Sequence, residues 1–260
     1  MKLRQLIASR MPIALYLSLK NVKNALTHVD VRYLLKYGKI AINSEGLSWL
    51  ALRSRIDFYG KGLAHRGFQI GGSYLLDSVV FKDNDVVIDC GANMGDLQLY
   101  FVSLGLNIRY VGIEPNPIDF SCLKANLIVN AVAFNIGLWD SSSKLPFYID
   151  KYSSSSSIIE PKNYSEIIEI ETKRLDSLEL PNEIKLLKVE GEGAEPEILK
   201  GCFGILDRIE YISVDAGPER GIAESETIEE VSNYLLSNNF KILKANTGKR
   251  KTIIFRNLKF

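Results

Sequence analysis

The apolar positions of the chain change their period near residue 86. Upstream of it, Leu3, Ile7, Met11, Ala14, Leu15, Ser18, Val22 and Leu26 recur at steps of three and four, which predicts an amphipathic helix running through Pro12. From residue 31 to about 72 the apolar pieces are short and punctuated by Gly38, Gly46, Gly60, Gly62, Gly67, Gly71 and Gly72, which reads as a small irregular cap. A short helix is predicted over 74–81. Beyond it, β-branched runs alternate with longer helical patterns: strands over 86–88, 108–113 and 132–136, with helices over 95–104 and 118–130 between them.

Such β-α-β-α-β alternation implies a parallel sheet with right-handed crossovers. Four more strands are predicted over 184–189, 209–214, 240–245 and 252–255. The last two are joined through Asn246, Thr247 and Gly248 and form an antiparallel hairpin at the sheet edge. The predicted fold is therefore α/β, a doubly wound Rossmann-like sheet of seven strands with an N-terminal helical cap. Residues 1–73 form the cap and 74–260 the main domain. The five serines at 153–157 read as a flexible linker.

Charge divides the chain where the pattern does. Residues 1–66 carry 12 Lys+Arg against 3 Asp+Glu, whereas the remaining 194 carry 20 against 28. A basic face at residues 1–26, with Lys2, Arg4, Arg10, Lys20 and Lys23, suits packing on the core, a second subunit, or an anionic lipid or glycan surface. Nucleic acid is not expected as a partner, because basic residues are confined to that region. The apolar run at 11–19 is shorter than the roughly 20 residues that span a bilayer, so no transmembrane segment is expected. Cys90, Cys122 and Cys202 are far apart and form no C-x-x-C pair, which argues against a zinc site or disulfide framework and for a reducing, cytoplasmic location, with the inner membrane face left open.

The chemistry concentrates at the carboxyl ends of the predicted strands, where ligands of open α/β sheets bind. Val87-Ile88-Asp89-Cys90-Gly91-Ala92-Asn93-Met94-Gly95 runs from a buried strand into a glycine-bearing turn that opens a helix. A dinucleotide fingerprint requires glycine where Asn93 stands, which demotes NAD. A carboxylate at Asp89 repels pyrophosphate and suits a cationic aminoacyl-sulfonium ligand, which points to S-adenosylmethionine. Glu114, at the next strand tip, is placed to accept hydrogen bonds from both ribose hydroxyls, with Pro115 and Asn116 beside it. Asn135 and Gly137 end the third strand and are expected to border the adenine.

These segments, with Leu187-Lys188-Val189-Glu190-Gly191-Glu192-Gly193-Ala194-Glu195-Pro196-Glu197, resemble the FkbM-type methyltransferases over roughly residues 74–257. Glu190 stands where that family usually has Asp, and Gly191 where it has a β-branched residue. The resemblance implies a class I methyltransferase sheet, S-adenosylmethionine as cofactor, Asp89, Gly91, Ala92, Asn93, Gly95, Glu114, Pro115, Asn116, Asn135, Gly137 and Glu190 around it, and methylation of a hydroxyl on a sugar, glycolipid or macrolide. A nucleotide-dependent sugar-modifying enzyme on a similar fold stays open as the alternative.

Removing a hydroxyl proton calls for a positioned base. Asp215, ending the fifth predicted strand, is the first candidate, with Lys188 and Glu192 at the same catalytic edge. Glu219, Arg220 and His65 are candidate substrate ligands. The acids Glu195 and Glu197 suit the start of a helix better than the reaction. No metal is expected, since the spacing of acids is not diagnostic, and the oligomeric state is open.

Overall fold

The computed structural model describes residues 11–150, 155–248 and 250–260. The chain forms two compact units that meet between Arg66 and Gly67 in the sequence. No helix among the described residues is long and apolar enough to cross a membrane.

In the first unit, α1 spans Ile13–Leu26 and begins directly after Pro12. A proline is tolerated at a helix start but not in its interior, which is why the helix does not run through residue 12; the predicted stretch over 3–10 lies outside the described residues. The segment read as an irregular cap is instead an antiparallel meander of β1 (Arg32–Lys36), β2 (Lys39–Ser44) and β3 (Leu47–Ala51). Its hairpins turn on Tyr37-Gly38 and Glu45-Gly46, all four with positive φ, the backbone that two-residue turns demand. Tyr33, Ile40, Ile42, Trp49 and Ala51 bury one face. Asn21 ties α1 to this sheet: its amide donates to the Tyr33 carbonyl and its oxygen accepts the Tyr33 N–H, both at 2.8 Å.

The second unit is built on seven strands. They are β4 (Val86–Cys90), β5 (Arg109–Ile113), β6 (Ala131–Phe134), β10 (Ile184–Val189), β11 (Ile209–Asp215), β14 (Phe240–Asn246) and β15 (Thr252–Asn257), numbered in chain order to include three strands of a smaller sheet and a two-stranded ribbon. Their spatial order is β14-β15-β11-β10-β4-β5-β6. The pairs from β11 to β6 are parallel and those made by β15 antiparallel, as predicted. Both faces are covered, so alternate residues enter two separate cores: Ile88, Val111, Leu187, Val189, Ile212 and Phe255 on one side, Val87, Tyr110, Leu186, Tyr211 and Ile254 on the other. Each such side chain contributes about 1.5–3 kcal/mol by leaving water.

Helix α2 (Leu63–Ser73) ends ahead of a 3-10 turn at Leu76–Ser78, which replaces the helix predicted over 74–81. Helices α3 (Leu97–Ser103), α4 (Pro117–Ala125), α5 (Glu195–Lys200) and α6 (Ile228–Ser237) complete the unit. Asn116 caps α4 by accepting the Ile118 N–H at 3.0 Å, and Pro117 fills the first helical position.

The stretch between β6 and β10 holds the smaller sheet: β7 (Gly137–Leu138), β8 (Ser143–Ile149) and β9 (Glu166–Lys173) in the order β7-β9-β8. The serine run is not simply a linker. Residues 153 and 154 lie outside the described set, but Ser157 is 2% exposed, pairs with Tyr148, and donates through Oγ to the Glu192 carbonyl at 2.8 Å. The ribbon consists of β12 (Pro218–Arg220) and β13 (Ser225–Glu226).

Candidate functional site

Parallel register decides which side chains meet at the carboxyl edge. Lys188 on β10 stands opposite Asp89 on β4 and Ser213 on β11, and since side chains alternate along a strand the three share one face of the sheet. Glu190 and Asp215, two residues further on, fall above them.

Lys188 is enclosed. Its Nζ lies 3.0 Å from Asp89 Oδ1 and 3.1 Å from Glu190 Oε2, and donates to the carbonyls of Cys90 at 3.0 Å and Gly91 at 2.8 Å. Burial works against the ammonium, but Asp89, Tyr74 and Glu190 outweigh it and hold its pKa well above the usual lysine range. Asp89 is 1% exposed, and its other oxygen accepts the Tyr110 hydroxyl at 2.6 Å. The sequence reading set Asp89 against a cationic ligand; in the structure its charge is already met by Lys188 beneath the turn. Burial raises the Asp89 carboxyl, with Lys188 and Tyr110 opposing.

The turn over Gly91–Gly95 takes positive φ at Gly91, Asn93 and Gly95. A Cβ on Gly91 would collide with the Glu190 carbonyl oxygen, so only glycine lets the two strand ends approach. The N–H groups of Gly91 and Ala92 both donate to the Ile113 carbonyl at 3.0 Å. Glu114, 6% exposed, accepts Asn93 N–H on Oε2 at 2.7 Å and Asn116 N–H on Oε1 at 2.8 Å. A carboxylate has about four acceptor positions, so each oxygen keeps one for a hydroxyl. Burial first, then Asp119, pushes this carboxyl up to about 8. Asn135 donates its amide to the carbonyls of Glu114 at 2.8 Å and Pro115 at 3.0 Å, which joins the ends of β5 and β6. Gly137 belongs to β7, paired with Thr172 and packed on Ile170 and Ile158.

On the other flank Arg250, in the connection between β14 and β15, has no place in the sequence reading. One guanidinium nitrogen lies 2.6 Å from Glu190 Oε1, 2.6 Å from Asp215 Oδ2 and 2.8 Å from the Tyr74 hydroxyl, which itself donates to Glu190 Oε2. Burial opposes ionisation of Glu190, yet Lys188 and Arg250 pull it down to about 2. Tyr74, also absent from the sequence reading, is anchored from below by Ser213 Oγ, which donates to its carbonyl at 2.7 Å.

A group of acids follows. Asp215 is 3% exposed and its Oδ1 has no hydrogen-bond partner among the described residues. Burial raises its carboxyl, with Arg250 opposing. A point at the Cβ position of Gly217 lies 3.6 Å from Asp215 Oδ1 and 3.7 Å from Glu219 Oε1, so both carboxylates flank that glycine. Burial, then Asp215, pushes Glu219 up to about 8, and burial, then Glu219, pushes Glu192 well above the carboxylate range. Glu195 is structural, accepting Gly191 N–H at 2.9 Å, Gly193 N–H at 3.1 Å and Thr227 Oγ1 at 3.0 Å. Arg220, read as a substrate ligand, is committed to Glu197 through contacts of 2.7 and 2.9 Å. His65 lies half-buried on α2 in the first unit. No three metal-ligating side chains converge among the described residues.

The family model of the methyltransferase FkbM domain matches residues 89–242, more than half of the chain. The chain belongs to this FkbM family. It is 27% identical over 190 residues to Methyltransferase 1 of Beauveria bassiana, covering 62% of this chain and 76% of that protein. It is 28% identical over 171 residues to Methyltransferase sdnD of Sordaria araneosa, covering 51% and 66%. A solved FkbM methyltransferase from Methylobacillus flagellatus shares the fold, with a TM-score of 0.50 and 17% identity over 78% of this chain and 59% of that one. The FkbM chain described here therefore spans about three fifths of that solved structure.

The cofactor of this FkbM protein is S-adenosylmethionine. The residues present fit it: each Glu114 oxygen accepts one backbone N–H and keeps a position where a ribose hydroxyl would bind, beside the tightly turned Gly91–Gly95 backbone.

Proposed function

We propose that this FkbM protein methylates a hydroxyl oxygen on a sugar residue of a glycan or glycolipid. The observation that carries the reading is the pair of carboxylates at Asp215 and Glu219, one with a buried, unpartnered oxygen and the other pushed up to about 8. An alcohol acceptor calls for such a base more than an amine does.

S-adenosylmethionine supplies a methyl group already activated by its sulfonium. The residues of the chain do the rest. Asp215 Oδ1 accepts the acceptor hydroxyl and orients it, while Arg250 on Oδ2 keeps the carboxylate facing that way. Glu219, with a pKa close to working pH, is placed to take the proton that the acceptor hydroxyl loses when it is methylated. Such a base contributes about 10²–10⁴ in rate. Glu192 and Glu219 stand with Asp215 in one acidic group, which suits a polyhydroxylated ligand. Glu114, Asn93 and Asn116 hold the cofactor end of the crevice, with Lys188 fixing the floor by neutralising Asp89 and Glu190.

The test is transfer of a labelled methyl group to extracted glycan fractions and to the same fractions with hydroxyls blocked by acetylation. Label should enter the free glycans and not the blocked ones. Equal labelling of both, or labelling of amines alone, rejects the hydroxyl assignment. In Asp215→Asn and Glu219→Gln, turnover should fall by about 10²-fold or more while cofactor affinity holds.

A further inference from the structure

Helix α1 is inside out. Of its fourteen residues only Leu17 and the polar Asn24 are buried, while Leu15, Leu19, Val22 and Leu26 are exposed by 51%, 51%, 57% and 77%. Spaced by four, three and four, those four side chains form a single stripe along one helix face. The helix is held to its sheet by its amides: Asn21 pairs with the backbone of Tyr33, and Asn24 donates to the Val31 carbonyl at 2.8 Å. Ordinarily a surface helix hides its apolar stripe and shows its polar one.

The same unit carries a second exposed feature. Asn21 meeting Tyr33 and Asn24 meeting Val31 mean that α1 and β1 run antiparallel, so the β1–β2 turn sits toward the start of α1. That turn shows Leu35 at 55% and Tyr37 at 87% exposure, flanked by Lys36 and Lys39. An exposed aromatic among lysines is the composition of a lipid-headgroup anchor.

Charge selects the occupant. Residues 11–66 carry nine Lys+Arg against three Asp+Glu, and α1 has no acid at all. Each of the three acids is engaged away from the stripe: Asp57 by Lys20 at 2.6 Å, Asp30 by the Glu45 N–H, Glu45 by the Ala64 N–H. Pairing this face with its own copy would set one strongly basic unit against another. An anionic lipid surface complements it, and at 14 residues the helix is long enough to lie on such a surface but not to cross it.

We infer that the exposed leucine stripe of α1, with the Tyr37 turn and the surrounding lysines, docks the first unit onto membranes containing acidic phospholipid. The experiment is flotation of the full chain with vesicles of phosphatidylcholine alone, or with about one third phosphatidylglycerol, at low and high salt. The chain should float with the acidic vesicles, not the neutral ones, and less at high salt. Lys23→Glu with Arg32→Glu should weaken the partition by about fivefold per charge. Leu19→Glu with Val22→Glu should abolish it. All four residues are exposed, so both variants should keep the thermal unfolding midpoint and S-adenosylmethionine affinity of the parent. Equal flotation with neutral vesicles, or none with acidic ones, overturns the inference. A dimer in solution that Leu19→Glu dissociates, without vesicle binding, assigns the stripe to a second copy.

Discussion

Arg250 and Asp215 lie 2.6 Å apart, the first on the connection between β14 and β15 and the second at the end of β11, which β15 flanks. The guanidinium also holds Glu190, so a single cation anchors two acids of the site. Replacing it with Leu leaves both carboxylates half-buried or buried without that partner. The pair is partly solvent-screened, which limits the loss to about 1–3 kcal/mol of stability. The functional effect should be larger, because Asp215 loses its orientation: turnover falls, its acid limb moves to higher pH, and Arg250→Lys restores part of both. Unfolding curves alongside a pH–rate profile check this, and an unmoved profile removes Arg250 from the site.

Lys188→Met should cost about 3–5 kcal/mol, since it strands Asp89 and part of the Glu190 charge in the interior. Adding Asp89→Asn removes one of the stranded charges and should recover a part of that loss. Urea denaturation of the single and double variants measures the coupling; strict additivity would mean the ion pair contributes nothing.

Glu114 gives the protein a pH signature. Its folded pKa of about 8 lies above the unfolded value of 4.5, so between those limits the folded state binds the extra proton. Stability from this group is therefore fully present at and below pH 4.5 and declines as pH rises towards 8. Glu114→Gln should flatten that part of the stability curve. On the proposed role of Glu114, the cofactor hydroxyls bind its ionised carboxylate, so binding should release a proton at neutral pH and strengthen towards pH 8. The Gln variant should release none and bind about 10–100-fold more weakly, as calorimetry in two buffers will show.

Gly91→Ala places a methyl group against the Glu190 carbonyl and forces a left-handed backbone on alanine. The backbone strain alone costs about 1–2 kcal/mol and the collision adds to it. Loss of cofactor binding should exceed the loss of stability, read by comparing affinity with the unfolding midpoint.

The sheet was legible because strands covered on both faces must be mostly apolar, which 86–88 states plainly and 184–189 and 209–214 repeat around a few polar residues. The acids at 89, 114, 190 and 215 were legible because a strand end positions its own last residue. Tyr74 and Arg250 were not, since each sits in a short irregular connection and acquires its place only from pairing far along the chain. The N-terminal meander was missed because its turn glycines resemble breaks in a loop. Strand β9 carried a usable signal in Ile168, Ile170 and Thr172, whose burial alternates with exposed Glu169 and Glu171. The inverted face of α1 is invisible to periodicity, which reveals a stripe but not the side on which the protein lies.

The reach of Glu190 has a consequence for the limits of the enzyme. Tyr74 comes before the stretch matched by the family model and Arg250 comes after it. A protein trimmed to that stretch would keep every signature motif and still lose both outer clasps of its central acid, together with the whole of strand β15. The smallest working enzyme is therefore set by one glutamate's long-distance ties, not by where the recognisable sequence starts and stops.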